Sequence, residues 1–143
     1  MLQKQISVFI ENKCGRLAEV TKVLGDNDID MSALCIADTT DFGILRIIVD
    51  KPDLAEKVLK ENGYAVSITE VVALSVEDKP GGLSAALLAL NEVGINIEYM
   101  YAFVRKNAQR ATVIVRVDKP GEALEKLKNT SVSLLTCEEL NSI

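Results

Sequence analysis

The 143 residues contain no histidine and no tryptophan. Without histidine the commonest general base, the Ser-His and Cys-His nucleophile pairs and the usual metal ligand are all missing. No cofactor, metal ion or catalytic group is therefore expected. Aromatic residues are scarce, at 4% against 48% apolar, so the core is built from Ile, Val, Leu and Ala, and no stacking surface for bases is present. Three cysteines, Cys14, Cys35 and Cys137, are an odd count without a Cys-x-x-Cys spacing, which indicates neither a disulfide framework nor a zinc site. No apolar run approaches the ~20 residues needed to span a bilayer, and Met1-Leu2-Gln3-Lys4-Gln5 lacks a signal peptide's apolar core. The expectation is a cytoplasmic chain with no membrane partner. A net charge of -5 removes the attraction that dominates nucleic-acid binding, so nucleic acid is not an expected partner either.

What the sequence does hold is a repeat. Val76-Glu77-Asp78-Lys79-Pro80-Gly81-Gly82-Leu83 echoes Ile10-Glu11-Asn12-Lys13-Cys14-Gly15-Arg16-Leu17, 66 residues upstream. In both copies an alternating apolar run stops at a charged pair, turns through glycine and opens into apolar residues three and four apart, the pattern of strand, tight turn and helix. At the same offset Leu24 and Ile29 match Leu90 and Ile95, and after a hairpin longer by two residues Val49-Asp50-Lys51-Pro52 matches Val117-Asp118-Lys119-Pro120.

The periodicities predict, in the first copy, a strand from Gln5 to Glu11, a helix carrying Leu17, Val20 and Leu24, strands Met31 to Ala37 and Gly43 to Val49 around a polar turn at Asp38 to Asp41, a helix opened by Pro52, and a strand from Ala65 to Thr69. The second copy reads as strand Val71 to Glu77, helix Gly82 to Val93, strand Ile97 to Val104, a hairpin across Lys106 to Gln109, strand Ala111 to Val117, helix Pro120 to Lys128 and strand Val132 to Cys137. The fold class is therefore α/β (α+β): two tandem ferredoxin-like βαββαβ units with antiparallel sheets, residues 1–70 and 71–143. Units of about 70 residues are marginal alone. Phe9, Ile44, Ile48 and Ile114 fall on the strand face opposite the core, Tyr99 to Tyr101 are apolar on both faces, and the helix after Gly82 is apolar around most of its circumference. Self-association to a homo-oligomer, a dimer, would cover such a surface.

The repeated Glu-x-Lys-x-Gly-x-Leu turn, together with Gly94-Ile95-Asn96-Ile97 and its counterpart Asp28-Ile29-Asp30-Met31, resembles the ACT domain family of small-molecule sensing modules, twice over and along nearly the whole chain. The resemblance implies side-by-side pairing of the domains and an amino acid bound at the seam between one domain's first turn and the other's second-strand start. Carried onto this sequence, that names Asn12, Lys13, Cys14, Gly15, Arg16 and Leu17 with Asn96, and Asp78, Pro80, Gly81, Gly82 and Leu83 with Asp30. The implied function is regulatory, without catalysis. Cys14 stands where proline is usual and Asp30 where asparagine is usual, so the two seams are expected to differ. The residues themselves agree with a carboxylate ligand, because a helix that opens directly after a glycine turn directs N–H groups and positive potential into the loop.

Two other readings belong beside this one. A module that only oligomerises would need no ligand. An enzyme using Cys14, beside Lys13 at a helix start, would lack a histidine to activate the thiol. Arg105, Lys106 and Arg110 carry enough positive charge for a phosphate, and a solvated hairpin explains them as well.

Overall fold

The computed structural model describes residues 1–38, 41–104 and 109–142. The elements run β1 (Leu2–Glu11), α1 (Arg16–Asp26), β2 (Met31–Asp38), β3 (Phe42–Val49), α2 (Pro52–Glu61), β4 (Ala65–Glu77), α3 (Gly82–Glu92), β5 (Ile97–Val104), β6 (Arg110–Val117), α4 (Pro120–Leu127), β7 (Ser133–Leu134) and α5 (Cys137–Asn141). Two compact units result, one of Lys4–Thr69 and one of Glu70–Ser142 with Met1–Gln3. Strand order is β2-β3-β1-β4 in the N-terminal unit and β7-β4-β6-β5 in the C-terminal unit, and the pairings of β3 with β1 and β2, and of β6 with β4 and β5, are antiparallel.

Period-two alternation fixes which side of each strand is buried. In the N-terminal unit Ile6, Val8 and Ile10 of β1 meet Leu45, Ile47 and Val49 of β3, and helices α1 and α2 close over them with Val20, Leu24, Ala55, Val58 and Leu59. The C-terminal unit repeats the pattern with Val72, Leu74 and Val76, Val113, Val115 and Val117, and Leu90 and Leu127 from the helices. Each such Leu, Ile or Val removed from water stabilises the fold by about 1.5–3 kcal/mol. Both second helices begin with proline at the first position, Pro52 and Pro120, where its fixed φ suits the helix and its missing N–H has no helical partner to lose.

Four readings of the sequence are corrected. Strand β1 begins at Leu2 rather than Gln5. The strands expected at Ala65–Thr69 and Val71–Glu77 are one, β4, because Glu70 offers the backbone no break. The final strand is only Ser133–Leu134, although Leu135 N–H still donates to the Ala73 carbonyl at 2.9 Å. Cys137, expected to end that strand, instead opens α5, whose Thr136 hydroxyl accepts from Glu139 N–H while the Glu139 carboxylate accepts from Thr136 N–H, a reciprocal cap that holds even a short helix.

The outer-face residues divide. Phe9 is 50% exposed, but Ile48 and Ile114, although outside both core clusters, are only 2% and 0% exposed. At that exposure these two form no open patch. Tyr99, Met100 and Tyr101 are half-buried, with Met100 packed on the C-terminal core. On α3, Leu88 is exposed, in keeping with its apolar outer face. Among the described residues no helix is long and apolar enough to cross a membrane.

Candidate functional site

The first turn is built alike in the two units. In the N-terminal unit β1 ends at Glu11. Asn12 N–H donates to the Asp41 carbonyl at 3.0 Å, Lys13 N–H to the Glu11 carbonyl at 2.8 Å, and Arg16 N–H to the Lys13 carbonyl at 3.3 Å. Gly15 caps α1 at φ 87° with no side-chain hydrogen bond to the helix start. In the C-terminal unit Asp78 N–H donates to the Gln109 carbonyl at 3.0 Å, Gly82 N–H to the Lys79 carbonyl at 3.0 Å, and Gly81 caps α3 at φ 85°, again with no side-chain cap. The left-handed conformation at the cap requires glycine, and among the described residues no side chain caps the N–H groups that follow Arg16 and Gly82 in the first turn of each helix. Gly82 is required for another reason: a Cβ there would collide with the Glu77 carbonyl oxygen.

The charged pair before each turn closes on itself. Lys13 Nζ lies 2.7 Å from Glu11 Oε2, and Lys79 pairs with Glu77. Each carboxyl is held below its usual range, first by the lysine's hydrogen bond and then by its charge. Cys14 is an exposed thiol, and the neighbouring Lys13 ammonium is turned toward Glu11 instead.

The second-strand starts are tied down at the far end of each unit. Asp30 N–H donates to Asp50 Oδ1 at 3.0 Å and Asp50 N–H returns to the Asp30 carbonyl at 3.1 Å. Asp118 N–H likewise donates to the Asn96 carbonyl at 3.4 Å. Because β1 and β2 both run antiparallel to β3, the end of β1 and the start of β2 lie at opposite ends of the sheet. The N-terminal unit therefore gathers Asn12, Lys13, Cys14, Gly15, Arg16 and Leu17 but not Asp30, and the C-terminal unit gathers Asp78, Pro80, Gly81, Gly82 and Leu83 but not Asn96. All are exposed apart from the half-buried Arg16 and Gly82. Arg105 and Lys106 lie outside the described residues, as do the middle of the turn expected at Asp38 to Asp41 and most of the hairpin at Lys106 to Gln109.

A cleft opens beside each first turn. The N-terminal one, about 380 Å³, is walled by Phe9, Phe42 and Tyr64 with Glu11, Arg16 and Glu19. Its charges pair among themselves: Arg16 Nη1 lies 3.2 Å from Glu19 Oε2, Arg16 Nη2 3.8 Å from Glu11 Oε2, and Tyr64 Oη donates to Glu19 Oε2 at 3.0 Å. Burial, then the Glu19 carboxylate, pushes the Tyr64 phenol up. The C-terminal cleft, about 370 Å³, is lined by Ser75, Lys79, Gly82, Ala85, Arg110 and Ser131–Ser133 among others. Periodicity gave no sign of either cleft. Their counterpart positions are 66 residues apart before the hairpin and 68 after it, so the repeat itself was the signal that could have found them.

The turn built twice is the feature to set against known proteins, and one family, described as the ACT domain pair, matches residues 1–143. The chain belongs to the ACT domain pair family. A solved protein of Bacteroides thetaiotaomicron is 48% identical, with a TM-score of 0.93 over 100% of this chain and 98% of that one. The regulatory subunits of aspartate kinase from Thermus thermophilus (ligand-free form) and Thermus flavus share the fold of this ACT pair at 20% and 18% identity. Their TM-scores are 0.63 and 0.62, over 89% and 90% of this chain and 92% of each of those. No curated protein matches the chain.

Proposed function

We propose that this ACT domain pair is an amino-acid-sensing regulatory protein that catalyses no reaction itself. The observation that carries the reading is the first turn, built twice in a chain that matches the family along its full length: a glycine-capped helix start whose N–H groups have no side-chain cap. The regulatory aspartate kinase subunits, alike in fold, support it. A carboxylate suits those N–H groups, and the ligand's ammonium needs an acceptor such as an asparagine side chain.

Since a single unit carries the first turn and the second-strand start at opposite ends, a complete site takes one part from each of two units. We assign the two ACT units to residues 1–70 and 71–143, and the site to their seam, Asn12 with Asn96 and Asp78 with Asp30. A ligand held there favours one arrangement of the units, and a partner or a homodimer reads that arrangement.

A thermal-shift screen across the common amino acids tests the proposal. A ligand at 100 times its Kd adds about 2.7 kcal/mol of stability, so one or a few amino acids should raise the melting temperature saturably. A flat response to all of them overturns the sensing reading and leaves an oligomerisation module.

A further inference from the structure

The cleft beside the first turn of the C-terminal unit lies wholly within that unit, and its lining reverses the chemistry of its counterpart. Where the N-terminal cleft has Phe9, Arg16, Glu19 and Phe42, the C-terminal one has Ser75, Gly82, Ala85 and Arg110. The carboxylate of Glu19, which in the first unit accepts from both Arg16 and Tyr64, is absent at Ala85. A guanidinium appears in place of the Phe42 ring. Ser75 fixes it, with Arg110 Nε donating to Ser75 Oγ at 2.7 Å and Nη2 to the Ser75 carbonyl at 2.8 Å. Among the described residues Glu77 is the one carboxylate lining this cleft; it is paired with Lys79, and the charge of Arg110, opposite it on β6, acts on it more weakly. With each turn's lysine counted beside its carboxylate (Lys13 with Glu11, Lys79 with Glu77), the C-terminal cleft keeps the positive charge of Arg110, whereas in the N-terminal cleft Arg16 is offset by Glu19.

We propose that the C-terminal cleft binds the oxyanion group, carboxylate or phosphate, of a small molecule, with Arg110 as its principal partner. The two bonds to Ser75 aim the guanidinium and leave its other N–H groups for the ligand, and a planar guanidinium matches both oxyanions in two-pronged fashion. Lys79 lines the cleft too, its charge shared with Glu77. Ser131 and Ser133 line the wall and offer hydroxyl donors. A volume of about 370 Å³ falls in the range of small-molecule sites. This ligand requires no ammonium group, and although the cleft shares Gly81 and Gly82 with the proposed seam, its principal partner, Arg110, is no part of that seam.

Calorimetric titration of the full chain with succinate and, separately, inorganic phosphate, both at constant ionic strength, tests it. Saturable binding at one site per chain is expected: succinate alone would name a carboxylate ligand, phosphate alone a phosphate ligand, and both an oxyanion in general. Arg110→Gln should weaken binding roughly tenfold or more, as expected for loss of a charged hydrogen-bond donor. Ala85→Glu should weaken it comparably, because it restores the carboxylate that Glu19 supplies in the first unit. Ala85 is exposed, so this variant decides the matter if Arg110→Gln fails to fold. No saturable binding of either anion, or binding unchanged in Ala85→Glu, overturns the assignment. A response to amino acids with none to succinate or phosphate sinks this proposal and leaves the sensing reading intact, and the converse result does the reverse.

Discussion

The phenol of Tyr64 donates to the Glu19 carboxylate at 3.0 Å, joining the residue just before β4 to the first turn of α1. Burial and this neighbour raise the phenol's pKa above its ordinary value near 10. A group whose folded pKa is raised contributes stability that is complete below the unfolded value and is lost as pH climbs through the folded one. Tyr64→Phe should therefore lose about 1 kcal/mol at neutral pH, the usual worth of such a bond. It should also show a shallower loss of stability than the parent above about pH 10. Urea denaturation of both proteins at neutral and alkaline pH checks this; parallel alkaline declines would rule the pair out as the cause.

The glycines separate by mechanism. Gly15 and Gly81 sit at φ 87° and 85°, and a Cβ on either would have nothing within 4 Å, so Gly15→Val and Gly81→Val should each cost about 1–3 kcal/mol through backbone strain alone. Gly82→Ala meets the Glu77 carbonyl and should destabilise through a clash. Gly25, inside α1 with open space around it and no positive φ, should instead gain about 0.5–1 kcal/mol as alanine. Denaturation midpoints for the four variants test the ordering, and a destabilised Gly25→Ala would contradict it.

The proposed seams should be unequal. Two amides, Asn12 and Asn96, can donate to a carboxylate and accept from an ammonium. Two carboxylates, Asp78 and Asp30, would each repel an incoming carboxylate by about 4 kcal/mol at ~4 Å and an effective dielectric of ~20, before solvent relaxes. Asn96→Asp should accordingly lose more amino-acid affinity than Asp30→Ala. Calorimetry showing two equivalent sites per chain, or the greater loss at Asp30, would refute the assignment.

Self-association is expected to run through the apolar side chains that the chain leaves open: Phe42, Leu88, Leu34 and Phe9, at 62, 59, 53 and 50% exposure. Light scattering should report a dimer, and Leu88→Glu or Leu34→Glu should weaken it if that side chain lies in the contact. A parent protein that stays monomeric across micromolar concentrations would end the idea.

Much of this was legible in the sequence, because a duplicated pattern is read twice. Val49-Asp50-Lys51-Pro52 and its copy locate the start of α2 and α4, and the glycine turns locate α1 and α3. What escaped was set by distant packing or by short signals. Ile48 and Ile114 alternate as outer-face residues should, but alternation does not say whether the chain covers that face. Thr136-Cys137-Glu138-Glu139 carries the Thr-x-x-Glu signature of a helix start, yet Val132, Leu134 and Leu135 before it read as strand. Arg110 is legible as a hairpin charge with two readings, phosphate holder or solvated turn; its fixation by Ser75, 35 residues away, is not.

The 13-residue strand β4 bears on how such a protein tolerates insertions and deletions. Val66 and Ile68 pack on one core and Val72, Leu74 and Val76 in the other, every one an even-numbered position. Adding or losing one residue between Ile68 and Val72 reverses that parity and turns one set of side chains away from its core. A change of two residues preserves it. The hairpin between β5 and β6 is longer than its counterpart by two residues, a step of the permitted size, so length variation among related chains should accumulate in such turns and in even steps wherever a strand is involved.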